Sequence, residues 1–407
     1  MFRMSMKMAW QNLWRRKRRS LMVILMIVLS LSGLLSLQGL YDGMVVQMIN
    51  NTVRSDCGDL SITAKGYRLS RSLDDIIRDS DAVSKALKED RSIRSFTLRV
   101  RQEGLLATAR KSLGAEITGI SLEHEKTFGR LDEFVIEGSY DWGPRERGAI
   151  IGYDLADKMG VGVDDRIIFS AQDATGEISS VALRVRGIVK TNNPAIDLHA
   201  VFADIGFVRR FLQIGDGTTQ VAVFLNERSE LAAVQRRLSD EFGSLEVKRW
   251  DELYPSLVQI REIMKYYNSA SYAIVFIVAA LGIFGVMLVS VLERLREFGI
   301  LLAIGTPYAM VRNQILFEAS FLGLVGFAGG ALLGGVLLAY AAHYGLDLSA
   351  WKEGLESFGY SAVIFAQIEA SYFLEAFTSV YLAALFSVLW PLRVLKKIKP
   401  IHVIQGS

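Results

Sequence analysis

Two long runs without an acidic or basic side chain, Tyr266–Leu292 and Ala319–Leu346, bracket a short charged segment. A bilayer core of about 30 Å takes roughly 20 helical residues, so each run is long enough to span one. The stretch between them, Glu293-Arg294-Leu295-Arg296-Glu297-Phe298-Gly299-Ile300-Leu301-Leu302-Ala303-Ile304-Gly305, is then confined to one membrane face. Its charges come first. Phe298, Ile300, Leu301, Ala303 and Ile304 follow at spacings that suit a short amphipathic helix. Gly305 is a helix stop, and Thr306-Pro307 a cap and first-turn proline for the next span. A loop that ends in an apolar knob is built to press on a partner.

Two further runs complete the pattern. Leu21–Leu40 is uncharged, longer than the apolar core of a signal peptide, and followed by no cleavage site; it is expected to stay as the first membrane helix. Ser371–Leu392 is the fourth, with Glu375 near one end and Pro391 at the other. A carboxylate that close to the boundary belongs at the interface rather than on an ion path. Hydrophobic residues make up 51% of the 407 and are concentrated in these runs, the signature of an integral membrane protein.

Charge placement gives a topology. Arg15, Arg16, Lys17, Arg18 and Arg19 precede the first run, and Arg393, Lys396, Lys397 and Lys399 follow the last. Such flanking clusters are cytoplasmic and meet anionic headgroups, so no nucleic-acid partner is expected. Both termini and the 293–313 loop then lie in the cytoplasm. Trp10 and Trp14, one helical turn apart, face the headgroup layer. The expected division is 1–48 for the lead-in and helix one, 49–265 for an outer domain, 266–292 for helix two, 293–313 for the loop, 314–346 for helix three, 347–370 for a short outer segment, and 371–407 for helix four and the tail.

The outer region mixes strand-like runs (Asp59–Thr63, Ser95–Val100, Glu116–Ile120, Arg166–Ser170, Val181–Val189, Gln220–Leu225) with helix-like ones (Leu73–Lys88, Ile150–Met159, Ile205–Leu212, Glu230–Phe242). That is an α+β pattern, with a candidate division near Pro144. The fold class expected is a membrane protein of four transmembrane α-helices with a large α+β domain inserted between helices one and two. Gly326, Gly330 and Gly334 recur at four-residue steps in the third span, where small residues let another helix approach closely, within the chain or across a dimer.

The single cysteine, Cys57, excludes an intramolecular disulfide, and His124, His199, His343 and His402 lack metal-ligand spacing. No phosphate loop, nucleophile elbow or His-Glu-x-x-His pair occurs. The sequence therefore offers no catalytic residues and no metal ligands. Nor do the spans carry the chain of carboxylates typical of an ion-coupled carrier. Such a protein must take its energy from elsewhere, and the cytoplasmic knob is the natural place to receive it.

Glu293 to Gly305, followed by Gln314, Phe317-Glu318-Ala319 and the glycine-rich third span, resembles the FtsX/MacB-type permease core of ABC transporters. So do Ala9-Trp10-Gln11-Asn12-Leu13-Trp14 at the start and Pro391-Leu392-Arg393 through Lys399-Pro400-Ile401 at the end. Gly58–Thr63, Gly66-Tyr67, Gly119-Ile120, Glu137-Gly138, Ile151-Gly152, Leu155-Ala156, Val185–Ile188 and Ile196-Asp197 are similar to the LolC/LolE lipoprotein-releasing subfamily. Leu302 departs from the basic residue often found at that loop position.

The resemblance implies a periplasmic domain, a bacterial inner-membrane location and two paired permeases, identical or related. Two cytoplasmic ATPase subunits would carry ATP and Mg, this chain binding no cofactor itself. Glu293, Arg294, Arg296, Glu297, Phe298, Gly299, Ile300, Leu301, Ile304 and Gly305 would form the coupling segment. A lateral cavity would be lined by Leu34, Leu37, Leu40, Val45 and Met48 from helix one and Ile274, Ile277 and Leu281 from helix two. The implied work is mechanotransmission that extracts lipoproteins and passes them to a periplasmic carrier. The alternatives are MacB-like efflux of a drug, peptide or toxin, and FtsX-like control of a cell-wall hydrolase.

Overall fold

A computed structural model describes residues 2–15, 17–143, 146–351, 354–355, 360 and 362–396. Arg16, Pro144, Lys397 and Lys399 lie outside that set. The chain forms two compact units, one of residues 1–45, 260–349 and 363–407, the other of 46–259 and 350–362.

Among the described residues, four helices are long and apolar enough to cross a membrane. Helix one runs Lys17–Thr52, helix two Pro255–Glu293 and helix three Tyr308–Tyr344. Helix four is Ala370–Ser387, continued after a break by Leu389–Lys396. An N-terminal helix, Phe2–Arg15, precedes them. The break in helix four falls three residues before Pro391, inside the run expected to be continuous. Pro391 has no N–H to give the Ser387 carbonyl and its ring crowds that turn. The apolar positions divide cleanly. Ile27, Leu31 and Leu35, Ala279 and Ile283, Ile315 and Leu322, and Ala376 and Val380 meet in one core. Leu21, Met22, Leu25, Leu332, Val336 and Leu374 point outward, which costs nothing when the solvent is lipid.

The glycine stripe seats helix three on helix one of the same chain. A Cβ at Gly326 would come 2.8 Å from Ile27, one at Gly330 2.8 Å from Leu31, and one at Gly334 3.0 Å from Leu35. A second pair, Gly39 and Gly43 on helix one, seats the chain after helix three. Gln367 N–H donates to the Gly39 carbonyl at 2.8 Å, and a Cβ at Gly43 would overlap the Phe365 carbonyl oxygen.

The described residues of the outer unit form ten strands: β1 Leu60–Ala64, β2 Ile93–Ala107, β3 Ser112–Ile120, β4 Val135–Gly138, β5 Gly148–Gly152, β6 Arg166–Gln172, β7 Ile178–Val189, β8 Ala200–Asp204, β9 Gln220–Leu225 and β10 Leu245–Arg249. One lobe is the antiparallel sheet β10-β1-β9-β2. Helices Ser80–Glu89 and Leu231–Glu241 cover it through Val83, Leu87, Val234 and Leu238, giving a split βαβ arrangement. The other lobe closes on itself: β2 pairs β3, then β8, β5, β7 and β6 follow, and β6 returns to β2. This six-stranded barrel is filled by Leu106, Ile117, Ile151, Phe169, Val185 and Val201. β2 serves both lobes, its Ile93–Arg99 half pairing β9 and its Val100–Ala107 half pairing β3.

The lobes therefore part in the middle of β2, not near Pro144. Strands on both sides of Pro144 share one barrel. Two expected helices are also shorter. The Leu73–Lys88 run becomes helical only at Ser80, where Asp79 accepts from Ala82 N–H at 3.0 Å. The Ile150–Met159 run opens as β5 and turns helical at Tyr153.

One buried carboxyl in this unit gives a pH signature. Asp197 accepts from Thr191 N–H and Thr191 Oγ1, both at 2.8 Å, yet burial pushes it up to about 6. An unfolded Asp titrates near about 3.9. Between those values only the folded chain holds the proton, so the stability this group confers is complete at low pH. It is lost as pH rises through about 6, a difference on the order of 3 kcal/mol. Asp197→Asn is expected to flatten the pH dependence of unfolding between about pH 4 and 6, measured by denaturant titration of the full chain. An unchanged slope would remove Asp197 as its source.

Candidate functional site

The charged segment between helices two and three folds as a helix, Leu295–Ala303. It ends at Gly305, whose φ of 90° lies in the left-handed region, with Thr306 N–H closing back on the Leu301 carbonyl at 3.0 Å. Phe298 is 1% exposed and packs into the four-helix core, with the Arg294 guanidinium 4.8 Å above its ring. Phe298 and Gly299 thus hold the segment to its own bundle and present no surface to a partner. Arg294 lies 3.5 Å from buried Glu318 on helix three and 3.2 Å from Glu297. Glu293 lies 3.4 Å from Arg19 on helix one. Ion pairs therefore link the segment to both helices.

Its other face is open. Arg296, Glu297 and Gly305 are exposed, and Ile300 and Ile304 are 47% and 73% exposed. Leu301 is half-buried against the core. Covering a large aliphatic side chain is worth roughly 1.5–3 kcal/mol, so Ile300 and Ile304 form a small rigid apolar handle. Of the residues expected to line a lateral cavity, Leu34, Val45 and Met48 are buried in packing and Leu40 is half-buried. Leu37, Ile274, Ile277 and Leu281 carry outward apolar surface.

A second site lies where helices one and two enter the outer unit. Helix one continues into a π-helical turn, Val53–Cys57. Arg99 on β2, itself buried, donates to the Ser55 carbonyl at 3.1 Å and to that of Asp56. It also holds Glu125 with two bonds, at 2.7 and 2.8 Å. The Asp56 carboxylate meets Arg101 and the Tyr254 hydroxyl. Tyr254 immediately precedes helix two, so the outer ends of both helices meet on one carboxylate. A cleft of about 540 Å³ adjoins this clasp, lined by Tyr67, Arg68, Arg71, Arg101, Glu116 and His199 among others. Periodicity does not reveal the clasp; its trace in the sequence is Arg99 inside the strand-like run Ser95–Val100 and Arg101 directly after it.

The model of the MacB-like periplasmic core domain matches residues 20–241, more than half the chain. That of the FtsX-like permease C-terminal region matches residues 269–400. The chain belongs to the FtsX/MacB-type permease family. It is a multi-pass membrane protein of the ABC transporter permease class with a periplasmic domain between helices one and two.

Macrolide export ATP-binding/permease protein MacB of Aggregatibacter actinomycetemcomitans is 24% identical over 340 residues, covering 78% of this chain and 50% of its own length. The protein of the same description from Escherichia coli is 23% identical over 394 residues, 89% of this chain and 57% of its own. The chain spans about half the length of the curated relatives it matches. The solved periplasmic region of MacB from Actinobacillus actinomycetemcomitans is 15% identical with a TM-score of 0.34, over 49% of this chain and 91% of that one. These relatives carry the MacB description; the LolC/LolE subfamily is not singled out by them.

Proposed function

We propose that this FtsX/MacB-type permease couples ATP hydrolysis on a separate cytoplasmic ATPase dimer to extraction of lipoproteins from the outer leaflet of the inner membrane. The observation that carries the coupling is the apolar handle of Ile300 and Ile304, fixed from behind by Phe298 and by the Arg294–Glu318 pair. A push on that handle moves helices two and three as one body. In this reading both termini are cytoplasmic, ATP and Mg reside on the ATPase, and a second permease, identical or related, completes the complex. A periplasmic carrier accepts the released lipoprotein.

A lipid anchor holds a protein in the bilayer by about 0.8 kcal/mol per buried CH₂, so its release requires a powered device. Cargo of that kind meets the outward apolar surface of Leu37, Ile274, Ile277 and Leu281 without entering the cytoplasm. The relatives' description as macrolide exporters favours a second reading, in which the cargo is a hydrophobic small molecule.

Ile304→Asp tests the coupling. It is expected to cut substrate-stimulated ATP turnover of the assembled transporter at least tenfold, because a charge in that contact forfeits about 1.5–3 kcal/mol or more. The melting temperature of the permease is expected to stay unchanged, since Ile304 packs on little of its own chain. Leu301→Asp is the less clean variant, because Leu301 also contributes to the core. Full stimulated turnover in Ile304→Asp would contradict the coupling role.

A further inference from the structure

The junction between the N-terminal helix and helix one combines two features that the coupling reading does not use. The N-terminal helix is held along helix three. Ala9 and Leu13 are buried, Ser5 Oγ donates to the Met310 carbonyl at 3.5 Å, and the Trp10 ring meets Phe321 edge-on at 5.4 Å. That anchoring leaves Trp10 and Trp14 packed on each other at 6.1 Å with about half of each ring exposed. Beneath them is a narrow apolar slot of about 70 Å³, lined by Trp10, Leu13, Trp14, Leu21, Ile24 and Val325 with Lys17 at its rim. Beside it, sharing Trp14 and Lys17, an open basin of about 470 Å³ is lined by Arg15, Lys17, Arg18, Arg19 and Glu293. Four cations thus face one carboxylate, and that carboxylate is already 3.4 Å from Arg19. Arg15, Lys17 and Arg18 are exposed.

We propose that this junction is a binding site for one anionic phospholipid, its phosphate and charged headgroup in the Arg15–Arg18 basin and the upper part of one acyl chain in the Trp10–Val325 slot. The argument is complementarity at a fixed spacing. Cations clustered beside a membrane helix draw anionic lipid to the surface, but a bare cluster attracts any negative surface equally. Here the cluster abuts a slot lined, Ser20 and Lys17 apart, by apolar and tryptophan side chains, and the two share a wall. Tryptophan at that wall suits the headgroup boundary, where one edge of the ring is apolar and the other wet. A zwitterionic lipid would fit the slot and leave the excess positive charge of the basin uncompensated. A soluble anion would fill the basin and leave the slot empty.

The test is native mass spectrometry of the full chain, purified in detergent, stripped of lipid and mixed with equal amounts of phosphatidylglycerol and phosphatidylcholine. A single phosphatidylglycerol adduct that outlasts phosphatidylcholine is expected. Lys17→Gln with Arg18→Gln is expected to weaken it about thirtyfold, at roughly one increment per cation, and to leave the melting temperature unchanged because both side chains are exposed. Val325→Trp, which fills the slot, is expected to lower retention of phosphatidylglycerol with the basin intact. Equal retention of the two lipids would overturn the proposal. So would loss in the double variant without loss in Val325→Trp, which would mean general surface attraction only.

Discussion

Replacing Arg99 with methionine is expected to destabilise the periplasmic domain by about 3–5 kcal/mol, among the largest effects of any single substitution in this chain. Arg99 and Glu125 are 2% and 1% exposed, and their bidentate pair leaves little of either charge to water. Removing Arg99 takes away the charge that offsets desolvation of the buried Glu125 carboxylate and leaves it the Thr97 hydroxyl at 3.1 Å. The Ser55 and Asp56 carbonyls lose a donor in the same step, which adds to the cost. The double variant Arg99→Met with Glu125→Leu is expected to recover much of the loss, because a well-packed apolar pair replaces a buried ion pair at little net cost. Denaturant unfolding of the full chain in detergent measures both. A loss under about 1 kcal/mol for Arg99→Met would show that Glu125 reaches water or another partner, and the clasp would then be loose.

Gly330→Leu is expected to cost about 3 kcal/mol, and the source of the cost is specific. A Cβ there would already sit 2.8 Å from Leu31 Cβ, inside the contact distance of any relaxed pair. A leucine must force helices one and three apart, and overpacking of this kind shifts backbone as well as side chains. Leu31→Ala in the same chain is expected to restore part of the loss, since it removes Leu31 Cδ2 and Cγ, 2.8 and 3.1 Å from that Cβ, while its own Cβ stays. Gly285 has no neighbour within 4 Å of its ideal Cβ, so Gly285→Ala serves as a control and is expected to be neutral or slightly stabilising. Thermal unfolding in detergent separates these outcomes. If Gly330→Leu leaves the chain as stable as the parent and disrupts only self-association, the stripe belongs to a dimer contact instead.

The four spans were legible in the sequence because lipid imposes one demand, a long uncharged helix, and composition alone reveals it. The stop at Gly305 was legible too, since only glycine takes its φ of 90° without strain. Three features were not. Phe298 reads like any other apolar residue of an amphipathic turn, but its inward orientation depends on where helices one and three stand around it. The barrel depends on β5 and β8, whose buried runs Gly148–Gly152 and Ala200–Ala203 lack the polar alternation that marks a half-exposed strand. Without them β2 gives no sign of belonging to two lobes, and the division was placed near a proline. Gly39 and Gly43 carry the same four-residue step as the stripe in helix three, but besides Leu338 they face the irregular backbone of Phe365–Gln367, which no helix periodicity announces.

Under the proposed coupling, the Arg19–Glu293 pair ties helix one to the end of helix two, and the Arg294–Glu318 pair ties the charged segment to helix three. The work we propose for that coupling is the release of lipid-anchored proteins. The most direct measurement is depletion of this permease in its native cell, followed by separation of inner and outer membranes and detection of lipoproteins in each. Accumulation of outer-membrane lipoproteins in the inner membrane is expected. Unchanged sorting under full depletion would contradict lipoprotein release and leave export of a hydrophobic small molecule as the reading to test.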